Sequence, residues 1–252
     1  MNALSIGHSF EVFNTIDSTN MYAMSCIREG MAVHGAVYFA HEQYSGKGQR
    51  GKTWWSAPGE NLQMTIVLQP LQLASSQHFR LVVAVALAVH DFLEHHSFHG
   101  WFIKWPNDLY WGDRKAGGIL IENVIQEGKW RWAIAGIGVN INSTLFDKSL
   151  PNPTSLAQVT GLRYNTEDMA RNLCSFVEKR WQQLNRSSEW PSMLRAYNKV
   201  LYGAGYPQKL RKENITTAYK IVRVNEHGDL IAGENQEYQF KHGEVEWVLP
   251  WA

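Results

Sequence analysis

Residues 104–122 read Lys104-Trp-Pro-Asn-Asp108-Leu-Tyr-Trp-Gly-Asp-Arg-Lys115-Ala-Gly-Gly118-Ile-Leu-Ile-Glu122. Aromatic and branched residues at 102–105, 109–111 and 118–125 make three β runs, and Gly112-Asp113 supplies a turn between the second and third. A fourth run at 130–140 follows the turn signal Glu127-Gly128, so the segment predicts an antiparallel meander. Two lysines and an aspartate sit around these strands, and Gly117-Gly118 stands where a strand favours side chains. Glycine inside a strand often marks close approach by a ligand or another backbone. A hairpin with exposed charges is the plainer account of the same residues.

Outward from the meander the spacing becomes helical on both sides. Residues 75–96 carry Phe79, Leu81, Val85, Ala86, Val89, Phe92 and Leu93 on one periodic stripe. Further upstream, Asp17-Ser18-Thr19-Asn20 before residues 21–28, with Gly30 behind, reads as a capped helix. β runs at 35–40 and 61–68 flank a long polar, Gly-rich segment, 43–59. Downstream, helical spacing returns over 166–186 and 190–200 before the breaker cluster Gly203-Ala-Gly205-Tyr-Pro207. Short β runs follow at 219–224, 230–232, 238–241 and 245–249. The expected fold is α+β: a mixed, mostly antiparallel sheet with helices over residues 1–202, then a small C-terminal β-barrel domain over 203–252.

At 252 residues and 44% apolar content the chain can fill a substantial core. Its 24 Lys and Arg against 23 Asp and Glu create no global field for nucleic acid or an anionic membrane, so neither is an expected partner. Cys26 and Cys174 form no metal or disulfide pattern, and residues 1–11 show no leader; a cytoplasmic location is expected. The apolar run 81–89 is too short to span a bilayer. His95-His96-x-x-His99 could ligate a metal, but it reads better as a polar helix end, and no protein-held metal is expected.

The segment Ser45-Gly-Lys-Gly-Gln-Arg-Gly-Lys-Thr-Trp-Trp55 matches the phosphate-cradling pattern G-x-x-x-x-G-K-[ST] at Gly46, Gly51, Lys52 and Thr53. A P-loop works because a helix follows, with its N-terminal amides facing the phosphates. Pro58 and Gly59 leave no room for one here. The composition still suits an anion, since Gly46, Gly48 and Gly51 admit a close ligand and Lys47, Arg50 and Lys52 supply charge. A mobile, solvated surface loop would have the same composition.

K-W-P-N-D-x6-K-x2-G-I-L-x-E, from Lys104 to Glu122, resembles the signature of the biotin protein ligases. Three further stretches match in the family's order: Asp17-Ser-Thr-Asn20, Gln43-x2-G-x-G-x2-G-x2-W ending at Trp54, and Gly136-Ile-Gly138-Val-Asn140. The resemblance covers roughly residues 11–185, and the β tail is similar to the family's C-terminal domain. It implies an enzyme that activates biotin with Mg2+-ATP as biotinyl-5'-AMP and passes it to a lysine of a biotin carboxyl carrier protein, as monomer or homodimer. It further implies Lys115 as the cation touching both carboxylate and α-phosphate, with Arg50, Lys104 and Asp108 assisting. Asp108 would hold metal, orient a lysine or help the incoming amine. Biotin would fall to Ser18, Thr19, Asn20, Gln43, Lys47, Gly48, Gln49 and Lys115, with Gly46, Gly118 and Gly136 giving room. The nucleotide would fall to Arg50, Trp54, Lys104 and Asn140.

Two departures carry expectations. Many members have arginine at the position of Gln49, associated with holding the adenylate, whereas glutamine donates a hydrogen bond without charge. With about ten residues before the first motif, a ligase without a DNA-binding domain is expected. The rivals are a lipoate or octanoate ligase or transferase of related fold and, from another class, a non-enzymatic nucleotide-binding module.

Overall fold

The computed structural model describes residues 5–97 and 99–249, with the side chain of Arg50 outside that description. Seven strands form the main sheet: β1 (Phe10–Ile16), β2 (Val37–Gln43), β3 (Leu62–Leu68), β4 (Trp101–Lys104), β5 (Asp108–Trp111), β6 (Arg114–Gln126) and β7 (Lys129–Val139). They lie in the order β1-β2-β3-β7-β6-β5-β4. The β1–β2 pair is parallel and every other pair antiparallel, which is the mixed, mostly antiparallel sheet expected. The meander over β4 to β7 is present, extended to residue 114 by a longer β6.

The two faces of the sheet are covered unequally, and this creates the site. On one face Phe39, Leu62, Met64, Ile66, Leu109, Ile119, Ile137 and Val139 form a continuous core with helices α2 (His78–His96), α4 (Thr166–Leu184) and α5 (Trp190–Lys199). On the other face helix α1 (Thr19–Arg28) covers only part of the sheet, packing Ala23, Cys26 and Ile27 on Tyr38, Val67 and Ile134. The remainder of that face is open to a cavity.

The sequence signals miss two elements. Helix α3 (Leu156–Thr160) has five residues, too few for a periodic stripe; Ser155 caps it and Gly161 ends it with φ 75°. Strand β8 (Pro207–Lys212) buries only Leu210 among charged neighbours, so no alternation shows. It pairs with β9 (Ile215–Val224), and β10 (Leu230–Ala232), β11 (Tyr238–Phe240) and β12 (Glu246–Trp247) complete a second sheet in the order β11-β10-β9-β8-β12. This five-stranded sheet stands where the small C-terminal β domain is expected, and its strand pairings do not close it into a barrel among the described residues. Its edge strands have only three and two residues, and no pairing joins them among the described residues. Among those residues no helix is long and apolar enough to cross a membrane.

Candidate active site

The cavity, of about 890 Å³, lies on the half-covered face. Its charged centre follows from strand register. Asp108 pairs with Gly118 and Tyr110 with Lys115, a step of two residues on β5 against three on β6, so β6 carries a bulge. Regular alternation would send Lys115 and Gly118 to opposite faces. The bulge restores them to one face with Asp108. Lys115 Nζ then reaches Asp108 Oδ1 at 2.7 Å, and Lys104 Nζ lies 3.9 Å from Asp108 Oδ2. Lys104 also lies 5.4 Å from the Tyr110 ring and 5.7 Å from that of Trp247. Burial pushes its ammonium below the usual lysine range; Asp108 opposes this, while Lys115 and Lys52 add to it.

Beside the lysines the sheet face is stripped of side chains. Gly118 pairs with Gly138, and Gly138 with Gln63 on β3. A Cβ on Gly138 would stand 2.6 Å from the Trp54 indole, so glycine there is what lets the ring lie flat on the sheet. A Cβ on Gly136 would strike Asn20, so this glycine makes room for a protein side chain rather than an open pocket. The indole N–H groups of Trp54 and Trp247 both have no partner among the described residues, and both rings line the cavity.

A hydrogen-bonded floor joins α1 to β2 and β3. Gln43 Oε1 accepts from the Thr19 backbone N–H at 2.8 Å, and Gln43 Nε2 donates to Gln63 Oε1 at 3.0 Å. Thr65 Oγ1 lies 2.7 Å from Thr19 Oγ1 and 2.6 Å from Asn20 Oδ1, and Asn20 Nδ2 donates to Glu122 Oε2 at 2.7 Å. Ser18 occupies the helix cap position without making a side-chain cap bond. Capping alone therefore does not explain Ser18-Thr19-Asn20; Gln43 satisfies the first amide, and the buried side chains face the cavity.

The Gly-rich segment closes over this floor. Lys47 pairs with Thr53, Gly48 N–H bonds Lys52 O at 2.7 Å and Trp54 N–H bonds Gly46 O at 2.9 Å. Its only helical turn is Gln49–Gly51, three residues of 3-10 type, so the P-loop requirement fails as expected. Residues 145–151 and the β11–β12 region, with His242 and Trp247, wall the other sides. Asn140 Nδ2 donates to Thr154 O at 3.0 Å, which ties the chain that follows the 145–151 segment to the end of β7.

Of the site residues expected from sequence, fourteen line this one cavity: Ser18, Thr19, Asn20, Gln43, Lys47, Gly48, Gln49, Trp54, Lys104, Asp108, Lys115, Gly118, Gly136 and Asn140. Gly46 is not among the lining residues, its open side being filled by the Trp54 carbonyl, and the Arg50 side chain lies outside the described residues. Sequence reading missed Gln63, Thr65, Gly138 and Trp247. Only Gly138 carried a signal, as the second glycine of Gly136-Ile-Gly138. His95 and His96 pack with Phe92 and Phe176 at the end of α2, and no cluster suited to a metal occurs among the described residues.

The chain's relatives share this architecture. The "Bifunctional ligase/repressor BirA" of Bacillus subtilis is 25% identical over 229 residues, 89% of this chain and 70% of that protein. The "Biotin--[acetyl-CoA-carboxylase] ligase" of Paracoccus denitrificans is 32% identical over 174 residues, 66% of this chain and 70% of that protein. A solved biotin protein ligase from Aquifex aeolicus, in complex with biotin and ATP, superposes with a TM-score of 0.81 at 22% identity, covering 96% of this chain and 99% of that one. The model of the Biotin/lipoate A/B protein ligase family matches residues 12–140, which hold all sixteen site residues expected from sequence, and the chain belongs to that family.

Proposed function

We propose that this protein activates biotin with ATP as biotinyl-5'-AMP and transfers the biotinyl group to a lysine of a biotin carboxyl carrier protein. One observation carries the reading. The Lys115–Asp108–Lys104 cluster and the polar floor of Thr19, Asn20 and Gln43 share a single cavity under a Gly-rich loop. The names of the relatives point the same way.

The chemistry brings one anion onto another. A biotin carboxylate oxygen bonds to the α-phosphorus of ATP and the bond to pyrophosphate breaks. The carrier amine then attacks the carbonyl carbon, loses its proton, and AMP leaves. Lys115, held by Asp108, can neutralise the carboxylate and the α-phosphate and hold them in line. Of the three tasks open to Asp108, orienting Lys115 fits best, because its carboxylate already holds both lysines. Mg2+ would be supplied with the nucleotide as Mg2+-ATP and would neutralise the phosphates. The floor suits a ring that both donates and accepts hydrogen bonds, and the Trp54 face suits adenine.

The test mixes protein, Mg2+-ATP and either biotin or lipoate, and reads pyrophosphate release followed by acylation of an isolated carrier domain. Biotin-dependent pyrophosphate and one modified lysine are expected. Turnover with lipoate alone would assign the chain to the other branch of its family.

A further inference from the structure

Glu122 ends the Lys104–Glu122 motif, yet the mechanism above gives it no task. It stands on β6 next to the cavity without lining it, and its Oε2 accepts from Asn20 Nδ2 at 2.7 Å. A carboxylate has no proton to give, so the NH2 of the Asn20 amide must face Glu122 and its oxygen must face Thr65. That oxygen only accepts. Thr65, fully buried, must therefore spend its single proton on the 2.6 Å contact to Asn20 Oδ1. The 2.7 Å contact between the hydroxyls of Thr65 and Thr19 then needs the proton of Thr19. Gln43 Oε1, 3.1 Å from Thr19 Oγ1, is already served by the Thr19 backbone N–H. Thr19 Oγ1 is left with lone pairs and no proton to offer.

We infer that Glu122 sets the direction of this hydrogen-bond chain and so fixes Thr19 as an acceptor for a ring N–H of the ligand. The inference rests on the biotin reading, because a ureido ring presents two N–H donors while a dithiolane or a plain acyl chain presents none. Glu122 acts through Asn20, Thr65 and Thr19 and is a positioning residue. In Glu122→Gln the new amide can donate, the Asn20 amide can turn, and the two threonine protons lose their imposed direction.

The test compares biotin with the cyclic carbamate analogue in which the ureido N–H facing Thr19 is replaced by ring oxygen, using pyrophosphate release by the full-length enzyme. Glu122→Gln is expected to raise the KM for biotin about 5- to 30-fold, the loss of roughly one hydrogen bond, with kcat and the KM for ATP within about twofold. The KM for the carbamate should barely move, so the wild-type preference for biotin collapses. Thr65→Val should lose the same preference and Thr65→Ser should keep it, which retains a test if Glu122→Gln folds poorly. Equal weakening of both ligands, or an intact preference with a lowered Tm, would show mere structural support and overturn the inference. Wild-type protein that releases no pyrophosphate with biotin would sink the biotin reading itself, whereas an unchanged preference in active Glu122→Gln sinks only the relay.

Discussion

Lys115 and Lys104 share one carboxylate but face different surroundings, and their substitutions should separate. Lys115 meets Asp108 at 2.7 Å with about a third of its side chain exposed, so Lys115→Ala removes the cation at the reacting atoms without opening the core. Loss of pyrophosphate release by at least about 100-fold is expected, with an unchanged circular-dichroism spectrum and Tm. Lys104 is more deeply placed, and burial lowers its pKa. A lowered lysine pKa means the cation is lost, as pH rises, earlier than for a free lysine. Activity that depends on it must therefore fall on the alkaline limb. Lys104→Arg keeps its charge throughout, so its kcat/KM profile should hold to higher pH even if its maximum is lower. Coincident alkaline limbs for the two proteins would remove Lys104 from the pH dependence. Gln49 starts the 3-10 turn of the loop and lines the cavity without a charge of its own. Gln49→Arg is expected to slow release of biotinyl-adenylate, read as longer retention of the radiolabelled intermediate on a desalting column.

At the scale of elements, the site depends on strand register more than on any loop. The bulge between β5 and β6 brings Asp108, Lys115 and Gly118 to one face, and the paired Gly138 and Gly118 keep that face low, with the Trp54 indole against Gly138. Gly138→Ala places a methyl against the Trp54 indole. A cost of about 1–3 kcal/mol is expected from overpacking, together with a raised KM for ATP and a smaller effect on biotin. Sequence patterning anticipated α2, α4, α5 and the β4–β7 meander because each buries a periodic stripe on a large core. It could not show α3 or β8, which bury one residue each, Leu156 and Leu210. The site residues were legible where they fell into short motifs. Thr65 and Gln63 were not, because they sit in β3, where every residue is buried and a polar one looks like any other core position until its partners from α1 and β2 are known.

At the scale of the whole molecule, the second sheet completes the first one's site and core. Leu210, Ile221, Val224, Leu230, Ala232 and Phe240 belong to the same apolar cluster as α2 and the main sheet. The seam carries polar bonds as well: Trp105 Nε1 donates to Gly228 O at 2.9 Å in a buried bond, and the half-buried Asn198 bonds both backbone groups of Val224, at 2.9 and 2.7 Å. Trp247 then closes the cavity over Lys104. Sheets joined this way have no cheap plane of separation, so unfolding should occur as one transition, with far-ultraviolet dichroism and tryptophan fluorescence coinciding across a urea titration. Asn198→Ala leaves the N–H and C=O of Val224 without their partner and should cost about 2–4 kcal/mol. It should shift both probes together and raise the KM for ATP through Trp247, although residue 198 lies outside the cavity. If the variant instead shows an early fluorescence change while the dichroism of the main sheet holds, the seam is a domain boundary. The cavity wall at Trp247 would then open and close independently of the fold that carries Lys115.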